Sequence, residues 1–140
     1  MIQQHIVAIG VPAIIIDKEQ RILLVKRSGR SHSGMWGIPT ETLQPGETVI
    51  QALKRGMKEE LGVDISIIRF TGYFYDTPGR DVRYQTAIDL PHICKVLHGE
   101  PTPQEECMNV RWFSRQELSR VVFPYDQRKM LQDARLVDID

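Results

Sequence analysis

Two adjacent glutamates, Glu59 and Glu60, close a helix-like run that follows a glycine-punctuated segment. Carboxylates side by side at a helix surface supply the hard oxygen ligands that Mg2+ takes, with room left for water and phosphate oxygens. A lone pair of this kind is more often a solvated acidic edge, since charged side chains mostly face water. The rest of the stretch decides between the two readings. Ile50, Leu53, Met57 and Leu61 form an apolar stripe at helical spacing, while Ala52, Arg55, Gly56, Glu59 and Glu60 lie on another side, with Glu47 just ahead of the first turn.

The helix is expected from about Thr48 to Leu61, ending where Gly62 stands. Before it, Val7 to Ile16 and Ile22 to Lys26 read as strands joined by the polar turn Asp17-Lys18-Glu19-Gln20, and Arg27 to Pro45 reads as mostly loop. After it, Ile65 to Tyr75 and Tyr84 to Leu97 read as a strand pair around a turn at Asp76 to Asp81, with a bulge or edge position at Pro91. Gly99 to Gln104 is expected as loop, Asn109 to Phe113 as a last strand, and Arg115 to Val121 and Tyr125 to Leu136 as helical. This mixed order implies an α/β or α+β sandwich with helices covering the sheet faces.

At 140 residues the chain has the size of one domain with one core. Lys plus Arg and Asp plus Glu number 18 each, which excludes the broad positive field of a nucleic-acid binder and leaves any anionic ligand to a local arrangement. Cys94 and Cys107 form no C-x-x-C pair and read as reduced thiols. The apolar run Ile6 to Ile16 is too short for a membrane span and contains Gly10 and Pro12. No membrane or nucleic-acid partner is expected, and a cytoplasmic location is.

The segment from Glu41 to Val63 resembles the Nudix box, G-x5-E-x7-R-E-U-x-E-E-x-G-U with U a bulky aliphatic residue. Glu47, Arg55, Met57, Glu59, Glu60, Gly62 and Val63 match in register without insertion. The flanks Leu23-Leu24-Val25-Lys26-Arg27, Trp36-Gly37-Ile38-Pro39 and Arg111-Trp112-Phe113 also look like the family, so the likeness covers nearly the whole chain. It implies a single Nudix domain over residues 1–140, an α/β/α sandwich with a mixed sheet. It further implies hydrolysis of a nucleoside diphosphate linked to another group, with Mg2+ or Mn2+ as cofactor. In the family, the glutamates at Glu59 and Glu60 ligate the metal, and the arginine at Arg55 orients the glutamate at Glu47. The likeness admits a homodimer. A DNA-binding extension of the regulator type is not expected in the short stretch after Phe113.

Two specified positions depart from the pattern: Glu41 stands where the first glycine belongs and Gly56 where a glutamate belongs. The cluster is therefore short of one carboxylate, and glycine inside a helix costs about 1 kcal/mol relative to alanine. Thr40 and Glu41 replace glycines that let the family's loop bend near the metal, so the loop is expected to take another path. Glu41 could then bring a carboxylate, as a metal ligand, into the gap at Gly56. Glu105 and Glu106 are candidate general bases, since some Nudix enzymes take the base from a late loop, and the plainer alternative is an exposed acidic loop.

The string Tyr75 to Arg83 looks like the Pro-Gly-Arg-Asp-Pro-Arg loop of ADP-ribose pyrophosphatases, with Val82 in place of the second proline. That likeness favours an ADP-ribose-like substrate and places Arg27, Arg80 and Arg83 near phosphates, whose oxygens suit a planar guanidinium. Trp36, Tyr73 and Tyr75 are candidates to stack on a base, with core packing as the alternative. The second functional reading is a Nudix domain that binds a nucleotide or nucleotide sugar with impaired hydrolysis, as a sensor or interaction module.

Overall fold

The first β-branched run forms strand β1 (Val7–Ile15), which pleats its side chains alternately into two layers. Val11, Ala13 and Ile15 enter one core cluster, while Ile14 enters another. Strand β2 (Ile22–Arg27) repeats the pattern, with Leu23 and Val25 on the first side and Ile22 and Leu24 on the second. The computed structural model describes residues 7–29, 32–81, 84–104 and 107–137, and side chains from 79 to 85 are outside that description.

The remaining elements are β3 (Trp36–Gly37), β4 (Thr40–Thr42), α1 (Val49–Leu61), β5 (Asp64–Phe70), β6 (Tyr75–Asp81), β7 (Tyr84–Asp89), β8 (His92–His98), β9 (Cys107–Phe113), α2 (Arg115–Leu118) and α3 (Gln127–Asp133). Helix α1 closes the first layer with Leu53, Met57 and Leu61. Leu118 of α2 and Met130 and Leu131 of α3 close the second. Two apolar layers, each covered by helix, make the expected α/β/α sandwich. The larger sheet runs β5-β8-β1-β7-β6 and the smaller β3-β2-β9. Strand β1 is parallel to β7 and β8 and antiparallel to β4, so the larger sheet is mixed as expected.

Three expectations are corrected. Pro91 marks neither bulge nor edge: β7 and β8 keep one register along β1 on either side of Leu90-Pro91, and only their outer partner changes, from β6 to β5. Proline removes one ladder donor, and the gap falls where the partners exchange. The stretch Ile65 to Tyr75 is not one strand, because β5 ends at Phe70 and β6 starts at Tyr75, with Gly72 at φ 90° between them. Asp76 to Asp81 is not a turn but most of β6, whose pairing with β7 is irregular between Pro78 and Asp81. Among the described residues no helix is long and apolar enough to cross a membrane. Both cysteines are free and buried, and burial pushes the Cys94 thiol up to about 12.

Candidate active site

Helix α1 is fixed at both ends. Thr48 caps the N-terminus by accepting from the Gln51 backbone N–H, while the Gln51 side chain accepts from the Thr48 N–H. Gly62 ends the helix at φ 70°, a left-handed conformation that glycine takes without Cβ strain. Ala52, Leu53, Gly56, Met57 and Leu61 form the buried face. The expected stripe is thus corrected at Ile50, which is exposed while Val49 packs on the core, and at Ala52 and Gly56, which leave the charged side for the buried one.

Arg55 gathers the carboxylates. Its Nε and Nη2 donate to the two oxygens of Glu47, each at 2.7 Å, in the bidentate geometry that suits a guanidinium. Its Nη1 lies 3.2 Å from Glu59 Oε2 and 3.4 Å from Glu41 Oε1, and Nη2 also donates to the Thr42 carbonyl at 3.1 Å. The Arg55 hydrogen bonds hold the Glu47 carboxyl down at about 2, and the backbone N–H of Gln44 adds to the effect. Glu47 in turn raises Arg55, so this pair stays ionised throughout the neutral range.

Glu41 arrives from β4, where it pairs with Val11 of β1. Neither Thr40 nor Glu41 takes a positive φ, so the segment is extended strand rather than a tight bend. The segment carries no backbone strain at these two positions. The Glu41 side chain lies over Gly56: a Cβ added there would stand 2.5 Å from Glu41 Cβ and Cγ and 2.7 Å from Oε2. A bare glycine in mid-helix is what lets β4 and α1 approach this closely.

Glu60 borders the other end of the site. The Glu60 carbonyl accepts from Gln104 N–H at 3.0 Å, and Glu60 contributes to raising the Cys107 thiol, after burial. Gln104 thereby lies at the C-terminal end of α1. Glu105, Glu106 and Arg83 lie outside the described residues, and the Arg80 side chain is likewise not described.

Arg27 does not line the cleft formed by Thr40, Glu41, Thr42, Gln44, Arg55, Glu59 and Glu60; its guanidinium sits 5.7 Å from the Tyr125 ring centre. Two of the aromatic candidates are packing residues. Trp36 meets Phe113 edge to face, and Tyr75 is buried and donates to Asp133. Tyr73 is exposed. Sequence reasoning missed the Thr42 carbonyl and Gln44, because backbone groups leave no trace in residue type. It also missed Gln127, 4% exposed, whose side-chain oxygen accepts from Ile38 N–H at 2.8 Å across the chain.

Comparison with known proteins adds the decisive observation: the NUDIX domain family model matches residues 7–134. The chain belongs to the Nudix family. It is 31% identical over 119 residues to an ADP-ribose pyrophosphatase of Methanocaldococcus jannaschii, covering 85% of this chain and 68% of that protein. A human 8-oxo-dGDP phosphatase is 36% identical over 51 residues, which is 36% of this chain but only 16% of the human protein. In fold, a MutT Nudix hydrolase structure from Burkholderia pseudomallei superposes with a TM-score of 0.79 at 24% identity, covering 91% of this chain and 97% of that one. The expected class, a Nudix-type hydrolase, stands at family level.

The Nudix cleft, about 470 Å³, holds the carboxylates. A depression of about 480 Å³ lined by Arg111, Phe113, Gln116, Glu117, Arg120 and Val121 holds one carboxylate, Glu117, which is paired with Arg111. With three carboxylates on its lining, Glu41, Glu59 and Glu60, the cleft at Arg55 is the candidate site. Among the described residues no three acidic, histidine or cysteine side chains converge on one point as a ready metal cage. The donors nevertheless fit Mg2+, which keeps several waters and takes one or two carboxylates together with substrate phosphate oxygens rather than a full protein cage.

Proposed function

We propose that the chain is a Mg2+-dependent pyrophosphohydrolase acting on a nucleoside diphosphate linked to another moiety, with an ADP-ribose-like substrate favoured. The observation that carries this reading is the Arg55 hub, which holds Glu47 and Glu59 at 2.7 Å and 3.2 Å on the rim of one polar cleft. Glu59 and Glu60 would hold the cation, with Mn2+ as a substitute. When bound, the ion supplies charge neutralisation on the diphosphate and lowers the pKa of the attacking water.

The chain's own residues set the geometry. Arg55 fixes the Glu47 carboxylate in its ionised form, so Glu47 accepts hydrogen bonds and gives up no proton near neutrality. Glu105 and Glu106 are the general-base candidates, taking a proton from water through a direct or relayed hydrogen bond. Arg80 and Arg83 are assigned to the substrate's phosphates, whose oxygens suit a planar guanidinium. The substrate reading draws on the archaeal relative, which matches most of this chain and is named for ADP-ribose. The human relative is named for another nucleoside diphosphate, and the diphosphate is what the two share.

The test is a substrate panel of ADP-ribose, other nucleoside diphosphate sugars, dinucleoside polyphosphates and nucleoside triphosphates, each with Mg2+ or Mn2+. Faster release of AMP from ADP-ribose than of pyrophosphate from triphosphates is expected. The reverse order would overturn the substrate reading, and tight ADP-ribose binding without turnover would make the domain a sensor module.

A further inference from the structure

We propose that Glu41 and Gly56 have exchanged roles: Glu41 brings into the cleft, from β4, the carboxylate that the Nudix pattern carries on α1 at position 56. Gly56 is the space that admits it. This rests on the metal-dependent reading above.

Three observations converge. The two departures from the pattern are complementary, with a glutamate where glycine belongs and a glycine where glutamate belongs, and no other specified position departs. The two positions also touch, since Glu41 Cβ and Cγ fall 2.5 Å from where a Cβ on residue 56 would stand. Those are atoms near the main chain of a strand already paired to β1 at Val11, so the strand must shift for both side chains to coexist. Finally, the Glu41 carboxylate reaches the line of cleft residues that includes Glu59 and Glu60. Its Oε2 lies 2.7 Å from the Cβ position at 56, where the stem of a helix glutamate would emerge. Its Oε1 contacts Arg55 at 3.4 Å and accepts from the Thr42 N–H at 3.0 Å, which leaves Oε2 as the oxygen beside position 56.

A purely structural reading would make Glu41 a filler over a helical glycine. The glutamine variant separates the two, because Glu41→Gln keeps the shape and removes the charge. Free Mn2+ is counted by electron paramagnetic resonance in titrations of the protein with Mn2+ alone, and thermal melting is followed in parallel. Glu41→Gln is expected to weaken Mn2+ binding by about tenfold or more, within the range for residues that tune a metal site, with melting unchanged. Gly56→Glu alone is expected to lower the melting temperature through its collision with Glu41. The double variant Glu41→Gly/Gly56→Glu is expected to regain both stability and Mn2+ affinity, a non-additive result. Wild-type binding retained in Glu41→Gln, or a double variant no better than the worse single one, overturns the exchange and leaves the metal-dependent reading standing. Absence of Mn2+ binding in the wild type overturns both.

Discussion

Helices α1 and α3 cover β1 and β2 from opposite sides and use their polar residues differently. On α1, Arg55 binds Glu47, Glu59 and Glu41, all within or just ahead of the helix's own motif, and the group faces a cleft. On α3, Gln127 and Asp133 reach residues far away in sequence, accepting from Ile38 N–H and the Tyr75 hydroxyl. Helix α1 is closed by a capping box and a left-handed glycine, whereas α3 has no side-chain cap. One helix carries its polar partners with it and can hold a site in shape. The other contributes its polar groups to closing the fold.

That contrast can be broken from either side. The largest effect is expected for Glu59→Gln, with hydrolysis falling on the order of 10²- to 10⁴-fold, the loss typical of a catalytic carboxylate. Stability should hardly move, since Glu59 is half exposed. A melting curve beside a rate assay checks both halves, and a large loss of stability would erase the distinction. Leu131→Ala on α3 should do the opposite, costing about 2–5 kcal/mol in urea unfolding because the side chain is fully buried, with turnover per folded molecule retained. Gln127→Ala leaves the Ile38 N–H without its acceptor and should cost about 1–3 kcal/mol in the same measurement.

Smaller effects sharpen the α1 side. Thr48→Ala removes the cap and should cost about 1 kcal/mol. The pH dependence of Glu47 is the finest signal. Its carboxyl sits near 2 in the fold against 4.5 ordinarily, so the unfolded chain binds the proton more readily. The stabilisation is therefore complete above about pH 4.5 and is lost as pH falls toward 2. Glu47→Gln should flatten that part of the acid-unfolding profile, and an unchanged slope would show that the Arg55 pair is loose in solution.

The parts legible in sequence were those where one local period dominates. Leu53, Met57 and Leu61 at helical spacing, ended by Gly62, marked α1 to within a residue, and the β-branched runs marked β1 and β2. Ile50 was misplaced because Val49 and Ile50 are both apolar and the period alone does not choose between them. Asp76 to Asp81 was misread because proline, glycine and aspartate signal turns, yet pairing with β7 overrides that preference. Of the site, the Arg55–Glu47 link was legible through the family pattern, and Glu41 over Gly56 was legible only as a gap with a nearby candidate. The closeness of β4 and α1 is set by tertiary packing, which no local period records.

The most direct measurement is AMP release from ADP-ribose in the presence of Mg2+, followed for the wild type and for Glu59→Gln, with and without a chelator. The account predicts turnover by the wild type that disappears with chelation and falls at least about 10²-fold in the variant. Equal turnover by the two proteins, or turnover indifferent to the chelator, would contradict it.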